Sequence, residues 1–365
     1  MKICHMTSVH PYNDIRITVK ECSSLVEAGF EVHLIAPNTS VENFQGIKVH
    51  GLLNPYKGRF KRANFFTRKV YLKALELDAD IYHFHDPELL KTGIMLKKQG
   101  KKVIYDVHED VPRQILNKHW IPKPIRKVTS FAFEKYENNI VRKLDAIVTA
   151  TPYIEDRFKK YNHNVINVSN FPILNELYIG DKQIGKENSV VYIGGITKER
   201  GSLVMVGAIE KTIGTLELAG KFVNENEKKI LEILPSWETK VNYHGFLNRE
   251  GIKNTLSRSK AGLVVLEPRL NFIDSLPIKM FEYMAAGIPV IASDFPVWKE
   301  IIEMNKCGIC VDPLNVEEIS KAIQWIFSNP QEATTMGENG RRAIETIYNW
   351  ETESEKLIKL YEKLN

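Results

Sequence analysis

Two carboxylates eight positions apart, Asp274 and Glu282, sit in the run Asp274-Ser275-Leu276-Pro277-Ile278-Lys279-Met280-Phe281-Glu282-Tyr283-Met284-Ala285-Ala286-Gly287-Ile288-Pro289-Val290-Ile291-Ala292. The run reads as a loop, a short helix and a buried strand. Ser275 suits an N-terminal cap, Pro277 fits the first turn because its missing N–H would have had no intrahelical partner, and Gly287 suits a left-handed helix end. Such a helix presents free N–H groups and the positive end of its dipole, which suits a phosphate. Glu282 lies further along, with two oxygens able to accept from a vicinal diol. Phosphate plus ribose diol describes a nucleotide. The alternative is an ordinary αβ unit with Glu282 at a solvated helix edge.

Four further segments end strands with residues that carry chemistry. In Val190-Val191-Tyr192-Ile193-Gly194-Gly195-Ile196-Thr197-Lys198-Glu199-Arg200-Gly201 a buried strand runs into a glycine turn and a helix expected to be capped by Ser202. Gly194 and Gly195 permit close backbone approach to a ligand, and Lys198 and Arg200 beside a helix start favour a diphosphate; a tight turn with an exposed Arg is the alternative. Tyr243-His244-Gly245-Phe246-Leu247 is another strand and turn, with Phe246 in the core or on a ligand. In Ile81 to Glu88 and Val103 to Asp110 the strands end in His85, Asp86, His108 and Glu109. Ligands in open α/β sheets bind beyond the carboxyl ends of strands, so these side chains are expected to line a cleft facing the second domain. His83 and His85 share a strand face and, with Asp86, His108 or Glu109, have the composition of a metal site; a lone polar histidine is the default for His83. His10 to Ile17 joins the first strand to the first helix without G-x-G-x-x-G, which argues against a dinucleotide-binding dehydrogenase. Asp14 and Arg16 there suit capping and pairing on the helix.

The elements that position these residues alternate from end to end, short β-rich runs with amphipathic helical runs, the pattern of parallel sheets covered by helices. Strands are expected at Lys2 to Thr7, Glu31 to Ala36, Lys48 to Leu53, Ile81 to Phe84, Lys102 to Asp106, Ala146 to Thr149 and Val165 to Val168, with a helix from Ile15 to Ala28 stopped by Gly29. The pattern weakens from Gly180 to Asn188 and restarts at Val190, with strands near Leu216, Val241, Leu263, Val290 and Ile309, a helical run from Val316 to Ile347 and a charged amphipathic helix from Trp350 to Leu364. At 365 residues the chain suits two domains, placed at 1–172 and 173–348.

The stretch from Leu263 to Ala292 resembles the C-terminal signature of family 4 glycosyltransferases, the "glycosyl transferases group 1" type, and the resemblance extends over nearly the whole chain. It implies an α/β chain of GT-B fold: two Rossmann-like domains with parallel sheets facing across a cleft, and the last helix, 349–365, packing back on the first. It further implies retaining transfer of a sugar from a nucleotide-diphosphate sugar to a saccharide or lipid-linked saccharide hydroxyl, in cell-surface polysaccharide or glycolipid assembly. On that resemblance Glu282 binds the ribose and Asp274, shorter than the usual Glu, lies near the donor sugar. Backbone N–H groups at Leu276 or Ile278 replace the contact that Pro277 cannot make. Arg200 matches a cation on the leaving diphosphate; a second family cation falls on Gly195, so Lys198 or Lys279 is expected to supply its charge. Gly245 and Phe246 match the loop against the base, His108 matches a histidine at the donor sugar or acceptor, and Asp14, Arg16, His85, Asp86 and Glu109 fall on the acceptor side. No metal and no other cofactor is implied. A sugar-nucleotide epimerase or hydrolase, or a non-catalytic nucleotide-sugar-binding module, are the alternatives.

Apolar content of 43% and charged content of 26% are those of a soluble globular protein. Met1 to Met6 starts directly as a strand and no apolar run approaches the ~20 residues that span a bilayer, so a cytoplasmic protein is expected, with its place at the inner membrane face open. Four cysteines do not make a disulfide framework, and Cys307-Gly308-Ile309-Cys310 reads as strand and turn. The net charge of +5 is unevenly placed. Lys48, Lys57, Arg59, Lys61, Arg62, Arg68, Lys69 and Lys73 stand among Tyr56, Phe60, Phe65, Phe66 and Tyr71 without an acid, and Lys118, Trp120, Lys123, Arg126 and Lys127 form a weaker cluster. Peripheral contact with an anionic membrane and a solvated helix face are both open. Nucleic acid is not expected as a partner, since no recognition motif accompanies the charge.

Overall fold

The computed structural model describes residues 1–56, 58–118, 121–180 and 187–364; Lys57, Trp120 and most of the expected linker, 181–186, lie outside the described residues. The chain divides into two compact units, Met1–Asn170 with Thr352–Asn365, and Phe171–Glu351.

The first unit holds β1 (Lys2–Met6), β2 (Glu31–Pro37), β3 (Asn43–Phe44), β4 (Ile47–Leu52), β5 (Ile81–Phe84), β6 (Lys102–Val107), β7 (Ala146–Thr149) and β8 (Val165–Asn167), in the order β3-β4-β2-β1-β5-β6-β7-β8. All pairs are parallel except β3 with β4. All four residues of β5 and all four of β7 are buried, as expected where helices cover both faces of a parallel sheet. The short hairpin β3–β4, which the sequence reading did not contain, turns through Gln45 and Gly46, both at positive φ (52° and 83°).

The second unit holds β9 (Ser189–Ile193), β10 (Thr215–Ala219), β11 (Val241–Gly245), β12 (Ala261–Val264), β13 (Val290–Ser293) and β14 (Gly308–Val311), all parallel, in the order β11-β10-β9-β12-β13-β14. Each sheet grows outward from its first strand in one direction and then resumes on that strand's other side. The reversal falls between β1 and β5 in the first unit and between β9 and β12 in the second. Connections leaving neighbouring strands there diverge, and the crevice at the strands' carboxyl ends is where such sheets bind ligands.

Several expected elements differ in detail. The helix placed at Ile15 to Ala28 is widely wound over Ile15–Cys22 and α-helical over Ser23–Glu27, ahead of Gly29 at φ 87°. The run from Val316 splits into Val316–Ser328 and Pro330–Thr346, because Pro330 has no N–H to continue the first helix and suits the start of a second. Ser202 does not cap its helix: the residue before it, Gly201, is left-handed, and Ser202 is the first helical residue. Trp350–Leu364 is helical as expected, with Leu357, Leu360 and Tyr361 buried. Cys307 and Cys310 are free, just before and within β14 respectively.

Candidate active site

In the second unit the carboxyl end of β9 opens into Gly194 and Gly195, and two cations converge on that turn. A Cβ on Gly194, at φ 138°, would lie 3.0 Å from the Lys279 Nζ, and one on Gly195 would lie 2.9 Å from an Arg200 Nη1. The glycines thus make room for the cations. Lys279 is buried, its Nζ has no hydrogen-bond partner, and it lies 3.8 Å from the centroid of the Tyr192 ring. Burial, and then the charge of Arg200, pull the Lys279 amine well below its ordinary range, with Glu282 offsetting part of the effect. The Tyr192 hydroxyl donates to the Gly195 carbonyl at 2.8 Å. Lys198 is exposed on the turn Lys198–Arg200, which Thr197 caps by accepting from the Arg200 N–H.

Lys279 stands in the first turn of the helix Ile278–Ala286, which follows β12 and ends at Gly287, left-handed at φ 77° as expected. Its start differs from expectation. Pro277 occupies the cap position with no side-chain cap, and the Ser275 hydroxyl folds back to the Phe272 carbonyl at 2.8 Å. The N–H groups of Ile278 and Lys279 have no intrahelical acceptor, since the first such bond runs from Met280 to Pro277. The Trp298 Nε1–H donates to the Ser275 carbonyl at 2.6 Å and fixes the approach to this helix start, with Leu276 half-buried between.

Glu282, one turn beyond Lys279, is nearly buried and accepts from the Arg249 Nη1 at 2.7 Å. The same guanidinium binds Glu176, its Nε 2.6 Å from the Oε1. Arg249 and Glu176 escaped the sequence reading because Arg249 meets Glu282 and Glu176 only through the fold. Asp274 is half-buried at the end of the short helix Leu270–Ile273. Gly245 is left-handed at φ 65°, and Phe246 behind it is 72% exposed, with the Lys221 Nζ 5.2 Å from its ring centroid. Phe246 is therefore not core.

In the first unit the carboxyl ends of β1, β5 and β6 gather around Asp106. Arg16 binds it through Nε (3.0 Å) and Nη2 (2.9 Å) and gives Nη1 to the Val168 carbonyl (2.9 Å). The His108 Nε2 lies 2.8 Å from Asp106 and the His85 Nδ1 3.1 Å. Burial opposes charge on Asp106, but Arg16 and His108 outweigh it and hold the carboxyl well below the usual range. Asp106 is a hub that sequence reasoning passed over, although it lies two residues before His108.

The expected acceptor-side residues therefore separate. Arg16 is buried and committed to Asp106, so it pairs internally and does not point outward. The His85 side chain is fully buried, and burial brings its imidazole down to about 4, against the pull of Asp106. Any contact it has with an acceptor therefore runs through Asp106 and His108. Asp86 is buried and accepts from the Thr7 hydroxyl (2.7 Å) and the Ser8 N–H (2.6 Å). Asp14 caps the helix after β1 by accepting from the Arg16 and Ile17 N–H groups, and its Oδ2 lies 2.9 Å from the His10 Nδ1. Burial works against ionisation of Asp14, yet His10 and the Ile17 N–H hold its carboxyl at about 2. Glu109 is exposed and bonded to Gln114. His108 and His10, with ring centroids 5.4 Å apart, remain the partly exposed polar pair at these strand ends.

The family model described as "Glycosyl transferases group 1" matches residues 179–343, and that described as "Glycosyltransferase Family 4" matches residues 16–169. Over 85 residues, 23% of this chain and 22% of the relative, the sequence is 32% identical to the GDP-mannose-dependent alpha-(1-6)-phosphatidylinositol monomannoside mannosyltransferase of Mycobacterium tuberculosis. The first curated relatives are matched over only about a fifth of their length. Sucrose-phosphate synthase from Thermosynechococcus elongatus shares the fold at a TM-score of 0.81 and 18% identity, over 100% of this chain and 98% of that one. Anabaena HepE, solved in complex with UDP-glucose, does so at 0.76 and 14%, over 100% of both chains. At such identities the likeness establishes architecture: two Rossmann-like parallel-sheet domains of the GT-B type.

Proposed function

The chain belongs to the family 4 glycosyltransferases, and on that premise we propose that it is a retaining enzyme transferring a sugar from a nucleotide-diphosphate sugar to a hydroxyl acceptor in polysaccharide or glycolipid assembly. The observation that carries this reading is Lys279: a buried amine with no hydrogen-bond partner, beside Arg200 and the N-terminus of a helix, at the reversal of the second sheet. Charging a buried amine is costly unless an anion arrives to pair with it, and a diphosphate fits. Glu282, steadied by Arg249, takes the ribose hydroxyls, and the exposed ring of Phe246 offers a stacking face for the base.

Charge grows on the departing diphosphate as the glycosidic bond breaks. Arg200, Lys279 and the N–H groups of Ile278 and Lys279 oppose it without reorganising, and no bound metal is needed for that step. The acceptor hydroxyl attacks from the side the diphosphate leaves, its proton passing to a phosphate oxygen, so the configuration is retained without a protein nucleophile. Asp106 and Arg16 set the tautomer and orientation of His108, which orients a sugar hydroxyl through its other nitrogen.

Thermal shift with UDP-, GDP-, ADP- and CMP-sugars tests the donor site, since a ligand bound only to the folded chain raises its stability by mass action. One base should give a clear upward shift that Glu282→Ala abolishes. No shift with any sugar nucleotide at millimolar concentration refutes the reading.

The acceptor side is proposed to work at an anionic membrane face. Phe60 and Phe65 are 81% and 56% exposed, and Ile125, Val128 and Phe131 emerge on one side of the helix Lys123–Val141. Arg59, Lys61, Arg68 and Lys69 are exposed around the two phenylalanines. Apolar rings within a basic surface suit anionic lipid. Among the described residues no helix is long and apolar enough to cross a membrane. Salt-sensitive co-sedimentation with phosphatidylglycerol vesicles, lost in Phe60→Ser/Phe65→Ser, is expected; equal binding to phosphatidylcholine vesicles argues against it.

A further inference from the structure

Three histidines of the first unit, His5 on β1 and His83 and His85 on β5 and at its end, stack beside Glu21 of the first helix, all of them buried. Ring centroids lie 4.7 Å apart for His5 and His83, 4.7 Å for His83 and His85, and 5.1 Å for His5 and His85. One ligand atom from each of the four side chains falls within 4.8 Å of all the others.

The hydrogen bonds sort the six ring nitrogens into an outer and an inner set. The outer ones are tied down. The His83 Nδ1 lies 2.7 Å and the His5 Nε2 3.1 Å from the Tyr361 hydroxyl, and the His85 Nδ1 lies 3.1 Å from an Asp106 oxygen. Of the inner ones, the His5 Nδ1 and the His85 Nε2 share one hydrogen bond at 2.9 Å, and the His83 Nε2 has none at all. Both Glu21 oxygens are buried and accept from no N–H or side-chain donor, and the carboxyl lies in hydrogen-bond contact with Asp106. The Arg16 Nε lies 3.1 Å from one of them, but its single N–H is directed at Asp106. Buried polar atoms are almost always satisfied, so a histidine nitrogen left bare beside a buried acid requires an explanation.

We propose that His5, His83, His85 and Glu21 form a buried binding site for one zinc ion or a similar divalent cation. Three imidazole nitrogens and a carboxylate oxygen are zinc's preferred ligands, with bonds of about 2.0–2.1 Å, which set neighbouring ligand atoms about 3.3 Å apart in a tetrahedron. The 2.9 Å between His5 and His85 needs only a small opening to admit the ion. Metal-binding histidines commonly pass their other N–H to a carboxylate or another oxygen, and here Tyr361 and Asp106 stand ready to receive all three. Binding moves the proton between His5 and His85 to the His5 Nε2, facing the Tyr361 hydroxyl, and releases the Glu21 proton to solvent, so that Glu21 ligates as its carboxylate. By contrast His85, Asp106 and His108, which also approach one another, already satisfy each other. With all four ligands supplied by the chain and no open position, the ion is structural.

The test uses the full untagged chain, produced with zinc in the medium and passed through EDTA-containing buffer before elemental analysis. About one zinc per chain is expected, falling below about a tenth in His83→Gln and in Glu21→Gln. Chain refolded with Co²⁺ should show the visible absorption of a tetrahedral Co²⁺ site. Should either variant fail to fold, wild-type stoichiometry and the cobalt spectrum decide alone. Absence of both signals, or unchanged zinc in a folded variant, overturns the proposal.

Discussion

At the reversal of strand order the first unit surrounds Arg16 with two carboxylates, Asp106 and Glu21, while the second leaves Lys279 without a hydrogen-bond partner. Both units share one sheet topology, so the difference comes from side chains. Topology locates a crevice and says nothing about what fills it. In the first unit the charges at the strand ends are neutralised from within, which suits holding His108 in one orientation. In the second a buried amine is kept dry and unpaired, which suits receiving an anion from outside together with a proton.

The largest test of that contrast is Arg16→Met. Removing one member of a buried ion pair leaves the Asp106 carboxylate uncompensated, and the loss should be about 3–5 kcal/mol of stability, read by urea unfolding. A loss under about 1 kcal/mol would dissolve the contrast. Lys279→Met should behave in the opposite sense. It removes an unpaired buried amine and keeps the side chain's bulk, so the thermal midpoint should hold or rise, while sugar transfer falls about 10²–10³-fold. A lowered midpoint with transfer intact would reverse the assignment.

A smaller effect is expected in pH. Because the Lys279 amine is held well below its ordinary range by burial and Arg200, a bound diphosphate must raise it. Nucleotide binding should then take up as much as about one proton, and affinity should weaken as pH climbs from the free toward the bound pKa. Calorimetry in buffers of different ionisation heat measures the uptake, and none at any pH would mean that the amine is charged before the ligand arrives. The smallest effect belongs to Ser275→Ala. Its hydroxyl serves the Phe272 carbonyl, not the helix start, so stability should change by less than about 0.5 kcal/mol, whereas loss of a true cap costs about 1 kcal/mol.

The elements were legible where local pattern decides. Ile81–Phe84, Ala146–Thr149 and Trp350–Leu364 match the sequence reading residue for residue, because each is a bounded run of clear periodicity. Ser275 misled because a serine before a proline looks like a cap until the chain is seen folding back at Phe272. At the candidate site, Gly194, Gly195, Arg200, Lys279 and Glu282 were legible, since they lie in two short segments next to buried strands. Asp106, Arg249 and Glu176 were not: Arg16 and Asp106 are 90 positions apart, Arg249 and Glu176 73. No periodicity carries pairings of that separation.

The first unit is discontinuous, its final piece, Thr352–Asn365, arriving after all of Phe171–Glu351. Tyr361, buried against His5 and His83, belongs to that piece. The contacts of Tyr361 with His5 and His83 can therefore form only after Phe171–Glu351 has been synthesised.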